Sequence, residues 1–331
     1  MTNPEKRKLI DRLKSIEERL LIIVNPMSRK GSELAGKVRS MLRREGMSPE
    51  ETSTDLPDDM GQTIEFWSKR FGGSRVIMVF GGDGAINQVI NNVMLSRSSK
   101  NVVLVPIPAG TANDFCRALG LEKAETALSA LVDFNVRSVD LMRINLEGAR
   151  KGTSYSSNVF GIGLDGDLVR RSLKYKRFGV LGYWYASLKR AAMVIFRGPD
   201  TYRMKIQADG YQYNGPVIGV MFANISVYGK NLMIAPGARP DDGKIYVTIV
   251  KPISGLRAFI AALLLLKGLH TRMPGIEFVV CEKASVELLE DAYAQEDGEL
   301  LFYPGGTKFD ISIDRGALNV LSRADTYAGK S

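Results

Sequence analysis

Three short polar turns carry the residue types that phosphate chemistry asks for: NPMSRKG at 25–31, GGDG at 81–84 and PAGTAND at 108–114. Each follows an apolar run. Glycine lets the main chain approach a ligand closely, and a helix starting just after such a turn points unpaired N–H groups outward, which suits phosphate oxygens. Asp83 stands on the middle turn among Gly81, Gly82 and Gly84. A carboxylate beside phosphates makes chemical sense when Mg2+ lies between them. Thr111 can donate to a phosphate or cap the following helix. Asn25 can hold its own turn or touch the ligand, and Lys30 and Arg29 are long cationic arms. Any one of these turns also fits a chain that binds nothing there, since glycine ends strands for conformational reasons alone. Three of them after three strands point to one crevice. No GxxxxGK[ST] is present, and no GxGxxG turn follows any of these three strands, so a Walker-type site and the standard dinucleotide fingerprint are unsupported there.

Three acidic turns lie further along: LDGD at 164–167, DDG at 241–243 and EDGE at 296–299. Spacing alone does not choose Glu299 over Glu296 or Asp297 as a proton acceptor, and a plain acidic hairpin turn is the alternative. Asp165 and Asp167 flank Gly166 in another turn, and Asp241-Asp242-Gly243 is a strong turn signal by itself. The chain has one histidine, His270, and two cysteines, Cys116 and Cys281. That argues against a histidine-based metal site, a Ser/His/Asp triad, a zinc set and a disulfide framework. His270 reads as a polar helix-end residue.

The elements that must position these residues follow from the apolar pattern. LLIIV (20–24), VIMVF (76–80) and NVVLVPIPAG (101–110) read as buried parallel strands. Helical spacing follows each, at 32–45, 85–95 and 111–119, with another helix at 60–70 and a polar arm or helix at 5–19. The segment 51–59 reads as a loop. This alternation predicts a doubly wound α/β domain over 1–137, whose ligand site lies beyond the carboxyl ends of the strands. After about residue 138 the alternation stops. Strands are expected at 139–145, 155–160, 202–208, 216–223, 245–250, 275–281, 285–289 and 309–313, with helical interruptions near 178–195 and 254–268. A β-rich second domain over 138–314 is the reading.

At 331 residues the chain is too long for one ordinary core, in keeping with two domains. The formal net charge of +9 favours an anionic partner without naming one. The N-terminus lacks the apolar core of a secretory signal, and the longest apolar run, Ala258–Leu266, is nine residues, too short to span a bilayer. An intracellular protein without a membrane span is expected. Arg170 to Arg197 holds eight cations, six aromatics and no acid, a composition suited to anionic headgroups and their interface. LRAFIAALLLLKGL (256–269) is too apolar for full exposure; it is expected to cover a sheet or line an acyl pocket.

The motifs NPMSRKG, VFGGDGAINQVINNV (79–93), PIPAGTANDFCRALG (106–120), NVFGIGLDGDLV (158–169), APGARPDDGKI (235–245) and EDGEL (296–300) occur in the order found in the diacylglycerol kinase catalytic-domain family. That family includes sphingosine, ceramide and bacterial lipid kinases, and the chain resembles it along nearly its whole length. The resemblance implies a nucleotide-binding domain akin to those of NAD kinases and phosphofructokinases, and a β-sandwich-like lipid-binding domain. It also implies an active site in the cleft between the two, and a C-terminal segment, 315–331, that returns to the first domain. ATP and Mg2+ are implied as cosubstrate and cofactor. By similarity, Asp83 belongs to the nucleotide and metal site, and Asn25, Lys30, Gly82 and Thr111 lie near ATP. Asp165 is an acid at the reaction centre and Glu299 the general base. Asp241 and Asp242 form a turn that can hold a structural Mg2+. Two positions depart from the pattern: Ala85 replaces the threonine of GGDGT, removing a hydroxyl from the nucleotide side, and Arg29 stands where glycine is usual.

The function so implied is ATP-dependent phosphorylation of a lipid hydroxyl by a cytoplasmic, peripherally membrane-associated monomer or homodimer. An NAD kinase-like enzyme with a soluble acceptor is the nearer alternative. A nucleic-acid-binding protein is the further one; it has no RNP-like or zinc-finger motif to support it and leaves the GGDG and DGE turns unexplained.

Overall fold

A computed structural model describes residues 3–55, 57–70, 75–96, 101–148, 151–167, 170, 199–229 and 231–323. Apart from Arg170, the basic–aromatic stretch at 170–197 lies outside the described residues, as does the helical interruption read at 178–195. The chain divides into two compact units, Met1–Leu141 with Arg315–Ser331, and Met142–Asp314.

The first unit is α/β. Strand β1 (Leu20–Val24) is buried throughout and pairs in parallel with β2 (Glu50–Ser53) and β3 (Arg75–Gly81). Strand β3 pairs in parallel with β4 (Val102–Pro108), and Asn319 and Val320 of the last strand pair in parallel with Val103 and Leu104 of β4. Both β3 and β4 are apolar runs buried at every residue, the pattern of a sheet covered on both faces. The helices settle by their apolar stripes. Ala35, Val38 and Leu42 are buried on α2 (Arg29–Arg44), Met60, Ile64 and Trp67 on α3 (Pro57–Arg70), and Ile86, Val89, Ile90 and Val93 on α4 (Asp83–Leu95). The N-terminal helix α1 (Asn3–Ile16) lies by the end of a later helix, with the Arg12 guanidinium donating to Val132 O at 3.4 Å.

Three expectations for this unit need correcting. Residues 51–53, within the segment 51–59 read as loop, belong to β2; as a polar, partly exposed edge strand it has no apolar run to announce it. The helix expected at 111–119 is only α5 (Asp114–Ala118), because Asn113 is left-handed (φ 54°) and stops the helix from starting earlier. A further helix, α6 (Ala124–Asp133), was not anticipated.

The second unit is a β-sandwich. One sheet has the order β12–β11–β10–β7–β14–β15, antiparallel throughout: Ile276–Cys281, Ile245–Val250, Gly219–Ala223, Val159–Gly163, Ala292–Glu296 and Glu299–Tyr303. Facing it are β8 (Tyr202–Ala208), β9 (Tyr211–Val217), β13 (Lys283–Leu288) and the first half of β16 (Lys308–Leu321), with β5 (Val136–Glu147) paired to β6 (Gly152–Ser156). Phe160, Ile162, Phe222 and Val247 from one sheet meet Met204, Ile206, Val286 and Phe309 from the other in a single core. Strands β9, β14 and β15 were not foreseen, and the strand expected at 155–160 is split between β6 and β7 at Ser157-Asn158.

Helix α7 (Gly255–Leu265) is capped by the Ser254 hydroxyl, which accepts from Arg257 N at 3.5 Å. Only Gly255 is fully buried on it, so the burial expected from its composition is not found along its outer face. The reverse holds for His270, expected at a polar helix end: it is 3% exposed in the 3-10 turn Leu269–Arg272. Burial holds its imidazole below the ordinary range, against a contact with the Ile234 carbonyl that favours the proton.

Candidate functional site

In the first unit the three polar turns are joined to one another at the carboxyl ends of β1, β3 and β4. Asn25 N donates to Phe80 O (3.0 Å), Ala109 N to Gly81 O (2.8 Å) and Ser28 Oγ to Ala109 O (2.9 Å). Asn25 spends its side-chain oxygen on its own turn, accepting from Met27 N at 2.9 Å. Ser28 also caps α2 by accepting from Gly31 N at 3.0 Å.

Gly82 and Gly110 explain why two of these turns are glycine-rich. A Cβ on Gly82 would lie 2.9 Å from Gly110 Cα, and one on Gly110 would lie 2.5 Å from Gly82 Cα. Main chain therefore meets main chain with no side chain between. Asn113 locks the second of the pair, its Oδ1 accepting from Gly110 N (2.8 Å) and its Nδ2 donating to Gly110 O (3.0 Å). Thr111, on the same loop, is exposed and does not cap α5; that place falls to Asn113.

Gly82 is the N-cap of α4 and offers no side-chain oxygen to the amides of the first turn, which leaves that helix end electropositive. Asp83 begins the helix, half-buried, and its Oδ1 accepts from Phe115 N at 3.1 Å, orienting the carboxylate across two turns. Gly84 continues the helix. Ala85 packs beneath Gly81, where an added Cβ would meet its own Cβ at 2.6 Å. Lys30 is exposed in the first turn of α2, and Arg29 is ion-paired to Glu33 at 3.1 Å. The structure thus brings Asn25, Gly81, Gly82, Asp83, Gly84 and Thr111 to one edge of this unit. The chemistry on offer there is amide and hydroxyl donation to an anion beside one carboxylate.

In the second unit a buried polar cluster is built around the hairpin of β14 and β15. Glu296 pairs with Glu299, so Asp297-Gly298 is a two-residue turn, and both residues have positive φ (48° and 92°) as a type I′ turn requires. The Asp297 carboxylate accepts from Ser156 Oγ (2.8 Å), Ser157 N (2.8 Å) and Oγ (3.1 Å), Asn158 N (3.0 Å) and Val159 N (3.0 Å). It folds the 156–159 turn around itself. Burial still pushes its pKa up against those hydrogen bonds. Glu296 is buried and accepts from Ser154 Oγ at 2.8 Å. Of the three acids in EDGE, Glu299 alone is exposed.

Asp165 lies among the helical residues 164–167, directly after β7. It is buried, and its Oδ2 accepts from Gln295 Nε2 at 2.6 Å. Burial pushes its pKa up from 3.8 to about 6, with the Gln295 amide pulling the other way. Gln295 Oε1 in turn accepts from Gly298 N at 2.8 Å, so one fully buried amide ties Asp165 to the turn that precedes Glu299. The glycines of GIGLDG are steric necessities. A Cβ on Gly161 would fall 2.2 Å from Asp165 Oδ2, and one on Gly166 would fall 2.4 Å from the Tyr293 carbonyl carbon. Asp167 is committed to Tyr202, whose hydroxyl donates to it, and to Arg170 at 3.1 Å.

Asp241 and Asp242 belong to neither arrangement. Asp242 accepts from Arg239 N (3.2 Å), Lys244 N (3.0 Å) and Tyr246 Oη (2.9 Å), while Asp241 pairs with Arg239 Nε at 3.2 Å. Their oxygens thus serve protein donors in a turn. Among the described residues no three His, Cys, Asp or Glu side chains converge as a metal-binding group.

Ser28, Asn113 and Gln295 were not singled out from sequence. Ser28 carried a legible capping signal. Gln295 carried none, since its partner Asp165 is 130 positions away.

Comparison with known proteins agrees with this two-part organisation. Residues 19–144 match the family description "Diacylglycerol kinase catalytic domain", and residues 158–322 match "YegS C-terminal NAD kinase beta sandwich-like domain". A diacylglycerol kinase of Bacillus subtilis (strain 168) is 27% identical over 292 residues, covering 85% of this chain and 90% of its own. A probable YegS-like lipid kinase of Pseudomonas aeruginosa is 27% identical over 261 residues, covering 75% and 76%. The crystal structure of a diacylglycerol kinase from Bacillus anthracis str. Sterne superposes with a TM-score of 0.66 at 21% identity, covering 93% of this chain and 98% of that one. At that identity the likeness speaks for the fold alone.

Proposed function

The chain belongs to the diacylglycerol kinase catalytic-domain family, and from that premise we propose that it transfers the γ-phosphoryl group of ATP to a hydroxyl of a lipid. The observation that carries the nucleotide half of this reading is the Gly82–Gly110 contact beside Asp83. It is a cradle that any side chain would fill, next to an uncapped helix end and one oriented carboxylate. Amides of the 81–84 and 108–114 turns would hold phosphate oxygens, with the Thr111 hydroxyl and the Lys30 ammonium adding donors from exposed positions. Asn25 contributes by fixing the first turn.

Asp83 fits Mg2+, which is commonly held by one or two carboxylates together with substrate phosphates. When bound, the ion would supply positive charge against the phosphates and steady the leaving group. The turn at Asp241-Asp242 fits a cation less well, because its oxygens already serve the protein. Any metal there would have a structural role and no part in the reaction.

Glu299 is the acid we assign as general base. Asp297 is committed to five hydrogen bonds and Glu296 is buried with Ser154, whereas Glu299 stands exposed at the start of β15. It would take the proton from the lipid hydroxyl as that oxygen attacks the γ-phosphorus. Asp165 would help position the acceptor in its ionised form. The acceptor belongs to the class of hydroxyl-bearing lipids: diacylglycerol, monoacylglycerol, a sphingoid base, ceramide or phosphatidylglycerol.

The test is transfer of labelled γ-phosphate from ATP into a panel of these lipids in mixed micelles, with NAD and other soluble acceptors alongside. The expected result is a labelled lipid only with Mg2+, and loss of labelling in Asp83→Asn without loss of folding. Labelling of NAD and of no lipid would overturn the acceptor assignment.

A further inference from the structure

We propose that the outer face of α7 is a docking surface for an anionic lipid bilayer. The proposal takes its biological sense from the lipid-kinase reading but rests on separate residues. Leu256, Phe259, Ile260, Leu263 and Leu266 recur at the i, i+3, i+4, i+7 spacing that places them on one side of a helix. All five are exposed, with Leu256, Leu263 and Leu266 at 58%, 53% and 52%. Scattered exposed leucines are ordinary; a contiguous stripe of them on a single helix marks a contact surface.

The helix that bears the stripe is fixed in place. Leu265 packs from the inner side onto the cluster of Val159, Ile234 and Tyr246, and Leu265 O accepts from Met233 N at 3.0 Å. The exposed leucines are therefore presented by an anchored element.

Charge chooses the partner. From Lys251 to Gly275 the chain has four cations and no carboxylate. Lys251 is bonded to Glu277 at 2.8 Å, but Arg257 and Lys267, near the two ends of the stripe, are exposed and have no ion pair among the described residues. An apolar stripe with cations at its ends and no acid is the composition of a helix lying in the headgroup plane of an anionic membrane. A second copy fits less well. Self-pairing of this face would bring Arg257 and Lys267 of two molecules together with no carboxylate on the helix to answer them. The helix is 11 residues long, and no described helix is long and apolar enough to cross a bilayer, so it would lie on the surface and not span it.

The experiment uses the full chain and vesicles of phosphatidylcholine with or without phosphatidylglycerol. Phe259→Glu with Leu263→Glu should weaken co-sedimentation about tenfold or more, and Arg257→Glu with Lys267→Glu should weaken it on anionic vesicles only, an effect that salt mimics. Arg257, Lys267 and Leu263 are well exposed, so Leu263→Glu alone and the charge-reversal pair should leave the thermal midpoint in place; Phe259, at 37% exposed, gives up some packing, so Leu263→Glu alone is read beside the double variant. Both native cysteines, Cys116 and Cys281, are buried, so Leu263→Cys can carry an environment-sensitive fluorophore. Its emission should shift to the blue on anionic vesicles. Unchanged partitioning of the Phe259→Glu, Leu263→Glu variant overturns the proposal. So does a blue shift that appears with rising protein concentration in the absence of vesicles, which would make this face a contact between copies of the chain. Failure of the kinase reading is read separately: both double variants should still phosphorylate a short-chain lipid dispersed as monomers as fast as the unaltered chain does. If the unaltered chain phosphorylates no lipid in any form, the kinase reading fails while the vesicle result stands on its own.

Discussion

Asp165 is tied through Gln295 to the turn that precedes Glu299, but the two acids differ in environment, and the difference makes separate predictions. Glu299→Gln removes the proposed base from an exposed strand end, so turnover should fall about 100-fold or more while the thermal midpoint stays where it was. Asp165 is buried with a pKa raised from 3.8 to about 6. If its ionised form is the active one, kcat/KM should rise with pH through about 6. Gln295→Leu deletes the hydrogen bond that favours the anion and should move this limb upward, which a pH–rate profile would show. The same shift has a sign for stability. Between 3.8 and about 6 the folded chain holds the extra proton, so stability falls as pH rises through that window, and above it the full cost of the buried anion is present. Asp165→Asn should therefore unfold at higher denaturant at neutral pH, by about 1–3 kcal/mol, while losing activity. The acids themselves were legible in GIGLDG and EDGE. Choosing among Glu296, Asp297 and Glu299 was not, because the choice depends on Ser154, Ser156 and Ser157, some 140 positions away, whose bonds to these acids the sequence does not show.

Among the elements, the three parallel strands and the helices after them could be read because each strand is an unbroken buried apolar run. Strand β2 could not: EETS pairs only through its main chain at a sheet edge, and nothing in its side chains distinguishes it from loop. Strands β14 and β15 hid for a related reason, since AYAQE and ELLFY mix polar and apolar residues, although the Asp297-Gly298 pair between them was a hairpin signal. The glycine turns make an element-level prediction. Gly110→Ala sets a methyl against the Gly82 main chain, which cannot swing aside as a side chain would. It should cost about 1–3 kcal/mol and weaken nucleotide binding, measured by denaturant unfolding and by titration with ATP. Asp297→Ala strips the acceptor from five donors in the 156–159 turn and should cost about 3 kcal/mol or more, because those buried donors are left without a partner.

For the whole molecule, a single buried histidine links folding to acidity. His270 is held neutral by burial, with its pKa below the ordinary 6.5. The unfolded chain takes up a proton first as pH falls through 6.5 and the folded chain does not, so this group's contribution to stability is lost progressively below that value. His270→Gln should flatten that part of the stability–pH curve measured by urea unfolding. The net charge of +9 was evident from composition, but which surface uses it was not. Helix α7 reads as core by its residues and turns out to be exposed, a reversal only tertiary packing can reveal. The family motifs lie in both compact units, and the activity we propose for the chain is transfer of phosphate from ATP to a lipid. The most direct measurement follows ADP release and lipid phosphate formation in the same reaction, with extracted lipid identified by mass spectrometry. One phosphorylated lipid should form for each ADP, with neither product above background in Glu299→Gln. ADP balanced by free phosphate, or by a phosphorylated soluble acceptor, would contradict it.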